Sequence, residues 1–69
     1  MSFQIRQSIA SSVAGSDAQE ISAMIDDAIQ KGDEHFLPGL GVLFEQWWRA
    51  AEPHAKQDAV KLIAQKFTK

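Results

Sequence analysis

The chain contains no cysteine and no tyrosine, and only two prolines and four glycines among its 69 residues. Without cysteine there is neither a disulfide nor a thiolate metal site, which suits a reducing interior or a compartment where disulfides are not used. No stretch approaches the ~20 apolar residues a membrane-spanning helix requires. The start, Met1-Ser2-Phe3-Gln4-Ile5-Arg6, lacks the long apolar segment of a secretory signal. These absences predict a soluble intracellular protein with no membrane association. Length matters as much. Residues 1–69 read as one domain, and a chain of this size buries roughly 60% of the surface it exposes when unfolded. Its core should supply only about 3–5 kcal/mol without a staple. Self-association, first of all a homodimer, is therefore a natural extra source of stability.

Positive charge is scarce in the first two thirds. Residues 1–48 hold Arg6 and Lys31 against seven acids, a net −5, whereas residues 49–69 hold five basic residues against two acids, a net +3. The overall charge of −2 argues against a dedicated nucleic-acid binder. The basic tail can steer a partner, but lysines late in a chain also complement the C-terminal ends of helix dipoles.

The apolar mass is concentrated in Leu37-Pro38-Gly39-Leu40-Gly41-Val42-Leu43-Phe44-Glu45-Gln46-Trp47-Trp48, which holds both tryptophans, one proline and two of the glycines. Leu40, Leu43, Phe44, Trp47 and Ala51 follow the i, i+3, i+4, i+7, i+11 helical pattern, while Val42 and Trp48 lie off it. Such a broad apolar surface marks a central helix or half of an interface. Pro38 biases Leu37 towards an extended entry, so the helix is expected over residues 39–51. Trp47 and Trp48 are adjacent and cannot both face one core. Together with Leu40 and Phe44 they form the candidate interface.

Three further helices are expected around it. Residues 3–14 carry an Ile5, Ile9, Val13 stripe with Ser2 as N-cap and Gly15 as the stop. Ser16-Asp17-Ala18-Gln19 reads as a capping box for a second helix that runs to Lys31 and ends at Gly32. Its inward face is Ile21, Met24, Ile25, Ala28 and Ile29. Asp33-Glu34-His35-Phe36 is a polar link with room for one helical turn. Glu52-Pro53 breaks the central helix and begins the last one, residues 53–67, with Ala55, Ala59, Leu62, Ile63 and Phe67 inward. No strand pattern or repeat is visible. The fold class is all-α, a small bundle of about four short antiparallel helices.

Candidate chemistry is thin. Gly39-Leu40-Gly41 at a helix start could offer amides to an anion, but it lacks the spacing, strand and lysine of a phosphate loop. Close packing of the helix start is the simpler use for these glycines. Asp26, Asp27, Asp33, Glu34 and His35 are acidic and imidazole groups without ligand spacing, and His54 has none around it. Asp26 and Asp27 point about 100° apart on a helix. No nucleophile sits in a recognisable motif, and so short a chain has trouble enclosing a cleft of ~300 Å³. An enzyme, a cofactor, a metal site and a small-molecule substrate are not expected. A weak DNA contact would draw on Arg49, His54, Lys56, Lys61 and Lys66. However, the three lysines are spaced by five, so each is turned about 140° from the last and they form no stripe.

The run Leu37 to Glu45, followed by a tryptophan-bearing segment, resembles the minor small acid-soluble spore protein I family of spore-forming Firmicutes. Asp27-Ala28-Ile29-Gln30 and Gly32-Asp33-Glu34 match that family's helix ending and acidic link. The likeness spans essentially the whole chain, with its specificity in residues 27–45. The paired tryptophans depart from the family pattern, which carries one aromatic there. The resemblance implies a protein made in the forespore late in sporulation and kept in the spore core, with no enzyme activity and no assigned functional residues. The abundant α/β-type small acid-soluble proteins coat spore DNA, but this chain lacks their glycine- and asparagine-rich DNA-facing segments. Three roles follow: a protein acting by packing or protein contacts, a weak sequence-independent DNA associate, or an amino-acid reserve degraded at germination.

Overall fold

The computed structural model describes residues 4–68. It contains four α-helices and no strand among them: α1 (Ile5–Val13), α2 (Ala18–Lys31), α3 (Leu37–Ala50) and α4 (Pro53–Lys66), with a 3₁₀ turn at Glu34–Phe36 feeding α3. The all-helical class expected from the sequence is the class observed. The regular antiparallel stacking of a four-helix bundle is not established. The most extensive helix–helix packing is that of α1 on α3.

Local chemistry explains most of the boundaries. The α2 cap lies one residue later than expected, at Asp17 rather than Ser16. The Glu20 amide donates to Asp17 Oδ1 at 2.8 Å, and the Asp17 amide donates to Glu20 Oε1 at 2.9 Å. Two carboxylates make stronger, charge-assisted caps than the Ser16–Gln19 pair, and their charge suits the positive end of the helix dipole. At the other end Gly32 adopts the left-handed conformation, φ 65°, which closes the helix without a Cβ clash. The α1 N-cap is Gln4, which makes no side-chain cap bond. Ser2 and Phe3, expected as the cap and first residue of this helix, lie outside the described residues.

Leu37 is helical, with φ −60° and ψ −42°, not extended. The bias imposed by Pro38 is overridden because the 3₁₀ turn leads straight into α3. The Phe36 amide donates to Asp33 O and the Leu37 amide to Glu34 O. Pro38 sits in the first turn of α3, where its missing amide hydrogen would have no helical partner. Pro53 opens α4 in the same way, as expected.

The core is where the sequence reading departs furthest from the structure. None of the described residues is fully buried. Half-burial is densest on α3, at Gly39, Leu40, Val42, Leu43, Glu45 and Trp48, and is found also at Ile9 and Val13 of α1 and at Ile21, Ile25 and Ala28 of α2. The stripe expected to face inward on α4 is covered only at Ala55 and Ala59; Leu62 is 60% exposed, Ile63 45% and Phe67 83%. Ile29 on α2 is 62% exposed. Each stripe is longer than the surface available to cover it. The chain's accessible surface is 6023 Å², against roughly 4300 Å² for a compact protein of this mass. Its radius of gyration, 13.5 Å, exceeds the roughly 11 Å of a compact chain of this length.

The two glycines of α3 serve different ends. A Cβ on Gly39 would stand 3.1 Å from Ile9 Cδ1, so its absence lets α1 approach; a Cβ on Gly41 would meet nothing within 4 Å. Gly41→Ala should therefore stabilise the chain by about 0.5–1 kcal/mol through helix propensity alone. Gly39→Val should destabilise it by about 1–3 kcal/mol through overpacking against Ile9. Urea melts followed by circular dichroism check both signs.

Candidate functional site

Three features on α3 are candidates for function, and each is built differently. The first is a clasp to α1. Arg6 donates from Nε to Glu45 Oε1 at 2.7 Å and from its terminal nitrogen to Glu45 Oε2 at 2.8 Å, a bidentate pair between residues 39 apart in sequence. Among the described residues these are the only side-chain hydrogen bonds that span more than one helical turn. Arg49 stands 3.8 Å from the same carboxylate. The hydrogen bonds from Arg6 hold the Glu45 carboxyl below its ordinary range, helped by the charges of Arg6 and Arg49, and they raise the Arg6 guanidinium further. Sequence reasoning missed this pair. Its one local signal is that Glu45 is the single charged residue within the apolar run 37–48.

The second feature is the aromatic cluster. Phe44 lies 5.7 Å from Trp47 and 5.6 Å from Trp48, and the tryptophan centroids are 6.1 Å apart. Trp48 is half-buried because α4 returns over it, with Lys56 Nζ 5.4 Å from its ring and Val60 alongside. Trp47 is 40% exposed and Phe44 46%. Of the expected interface residues, Phe44 and Trp47 thus face outward, Trp48 is divided between α4 and solvent, and Leu40 is half-buried on the α2 side.

The third is an open apolar cleft of about 330 Å³ between α1, α2 and α3, bounded by Ile9, Val13, Met24, Phe36, Leu40 and Leu43. The cleft is open to solvent and not an enclosed cavity. It is lined almost wholly by aliphatic and aromatic groups, with Ser12 and Asp27 as its polar members, and Asp27 is ion-paired to Lys31 at 3.0 Å.

Of the polar residues singled out by sequence, Asp33 and His35 are brought together, and the rest gather into no common site among the described residues. The Asp33 carboxylate accepts from the His35 amide at 2.9 Å and lies 2.8 Å from His35 Nδ1, capping the 3₁₀ turn. The amide bond first, and the ring second, hold the Asp33 carboxyl below its ordinary range. His54 pairs with Asp58 on α4 at 3.4 Å. No hydroxyl is hydrogen-bonded to either histidine among the described residues, and no group of three potential metal ligands occurs among them. Arg49, Lys56, Lys61 and Lys66 occupy separate places. Arg49 is beside Glu45, Lys56 is half-buried over Trp48, and Lys61 and Lys66 are exposed on different sides of α4. No helix among the described residues is long and apolar enough to cross a membrane.

Comparison with known proteins then decides the family. The model of the small, acid-soluble spore protein I family matches residues 3–67. The chain belongs to that family. A small, acid-soluble spore protein I of Halalkalibacterium halodurans is 46% identical over 65 residues, covering 94% of this chain and 96% of the relative. The one from Shouchella clausii is 47% identical over 58 residues, 84% of each chain. A Bacillus cereus member is 39% identical over the full length of both. The resemblance read from residues 27–45 is thus confirmed over nearly the whole chain, and it places the protein in a sporulation family of Firmicutes. No solved structure matches.

The small, acid-soluble spore protein I fold described here has a defined acid response. Glu45 and Asp33 both titrate below their ordinary values, roughly 4.3 and 3.9, so they bind fewer protons folded than unfolded. Their stabilisation is complete above that range and is lost as pH falls through it towards their depressed folded values. Stability should therefore decline from pH 5 towards pH 3. Arg6→Gln should remove the Glu45 share and flatten the profile, as read by thermal melts across that interval at low salt.

Proposed function

We propose that this spore protein is non-catalytic, is made in the forespore, resides in the spore core, and acts by packing against other protein surface. The observation that carries this reading is the ratio of apolar to covered surface. Among the described residues eleven large apolar side chains are exposed, from Ile5 to Phe67, and none is buried. Soluble proteins that stay alone rarely leave so much apolar surface open, and such surface most often marks an interaction site. Family membership supports the setting, since the relatives are named small, acid-soluble spore proteins. A catalytic role finds little support, because the two histidines are surface groups held by Asp33 and Asp58.

Binding to DNA is the rival outcome. It would need basic side chains converging on one face, and those of α3 and α4 are dispersed or engaged by Glu45 and Trp48. Tryptophan fluorescence of the pure protein titrated with duplex DNA tests the choice, because Trp47 and Trp48 adjoin the basic segment. The protein-contact reading predicts no change even at low salt. A saturable change that vanishes as salt is added would overturn it, since counterion release makes phosphate binding fall steeply with salt.

A further inference from the structure

Five of the exposed apolar residues, Ile29, Leu37, Leu62, Ile63 and Phe67, lie on two complementary surfaces. One is the free end of α4, where Leu62 shares a face with Lys66, four residues on, and Ile63 and Phe67 stand beside them at the same spacing. None of the described residues covers this end. The other is an open groove where α2 ends and α3 begins. Ile29 and Leu37, 62% and 58% exposed, rim it, Ala28 and Leu40 lie deeper, and Asp33 and Glu34 edge it. The first surface is apolar with a cation and the second is apolar with acids. Neither Lys66 nor Glu34 is in an ion pair among the described residues.

We infer that the last turns of α4 seat in the α2–α3 groove of a second copy, while the second copy's α4 seats in the first. This deepens the protein-contact reading and rests on it. Exchange of this kind is self-complementary, each surface meeting its counterpart once about a two-fold axis, so it closes at two chains. Leu62, Ile63 and Phe67 fill the groove against Ile29 and Leu37, and Lys66 faces Glu34. Leu62, Ile63 and Phe67 on one side and Ile29 and Leu37 on the other are all exposed in the single chain, so each junction covers apolar surface that is open within one copy. The charge asymmetry between residues 1–48 and 49–69 acquires a use, because the basic end of one copy lies over the acidic link of the other.

The test is sedimentation equilibrium of the full chain at about 100 µM, far above the micromolar range of the weaker standard-sized interfaces. The wild type should be a dimer. Leu62→Lys and Ile29→Glu, both at exposed positions that leave helix content by circular dichroism unchanged, should each run as monomers, their dissociation constants raised more than about a hundredfold by a buried unpaired charge. An equimolar mixture of the two variants should regain the dimer. In it one junction is wild type, and the other sets the lysine introduced in the first variant against the glutamate introduced in the second.

A monomeric wild type overturns the inference, as it would if α4 folded back onto its own groove. It would leave the DNA titration, and with it the protein-contact reading, untouched. A dimer that survives Ile29→Glu but not Leu62→Lys overturns it as well, because α4 would then be packing on α4. Failure of the mixture to re-associate is a third contrary result.

Discussion

The structure depends on the seating of α1 against α3. Two contacts fix it from opposite ends of the problem. Gly39 gives up a side chain so that Ile9 can come close, and Glu45 commits the one charge of an apolar run to a bidentate bond with Arg6. The glycine sets how near the helices come; the ion pair sets which way round they lie, because a guanidinium fork and a carboxylate match in one orientation. The pair lies at the surface and contributes specificity more than strength. Everything else is attached to α3 more lightly. The acidic link joins α2 to it through a 3₁₀ turn capped by Asp33, and α4 folds back over Trp48 through Lys56 and Val60.

Much of this was legible in the sequence because it is set by neighbours in the chain. The glycine stops at Gly15 and Gly32, the proline opening of α4 and the apolar identity of α3 all follow from residues within a turn of one another. Where local rules competed, the sequence alone chose less well. Ser16 and Asp17 both qualify as caps, and the acid with a glutamate three residues on forms the reciprocal pair. At Leu37 the proline rule lost to a preceding turn that was already helical. What could not be read was any quantity that depends on how much surface is available. Periodicity marks Leu62, Ile63 and Phe67 as an inward face, yet it does not say whether the chain holds anything for that face to meet. The Arg6–Glu45 pair is hidden for a related reason, since nothing local links residues so far apart.

The apolar stripes exceed what the chain itself covers, and the proposed association would give that surface a partner. Asp17, Glu20 and Asp33 cap helical turns, Glu45 clasps α1, and Lys56 lies over an aromatic ring.

The central claim is that the isolated chain is short of core and gains it by association. Thermal unfolding at about 5 µM and about 500 µM tests it most directly, since binding that favours the folded state makes stability depend on concentration. The account predicts a Tm that climbs with protein concentration. A cooperative transition with the same Tm at both would contradict it and show a monomer that is sufficient alone.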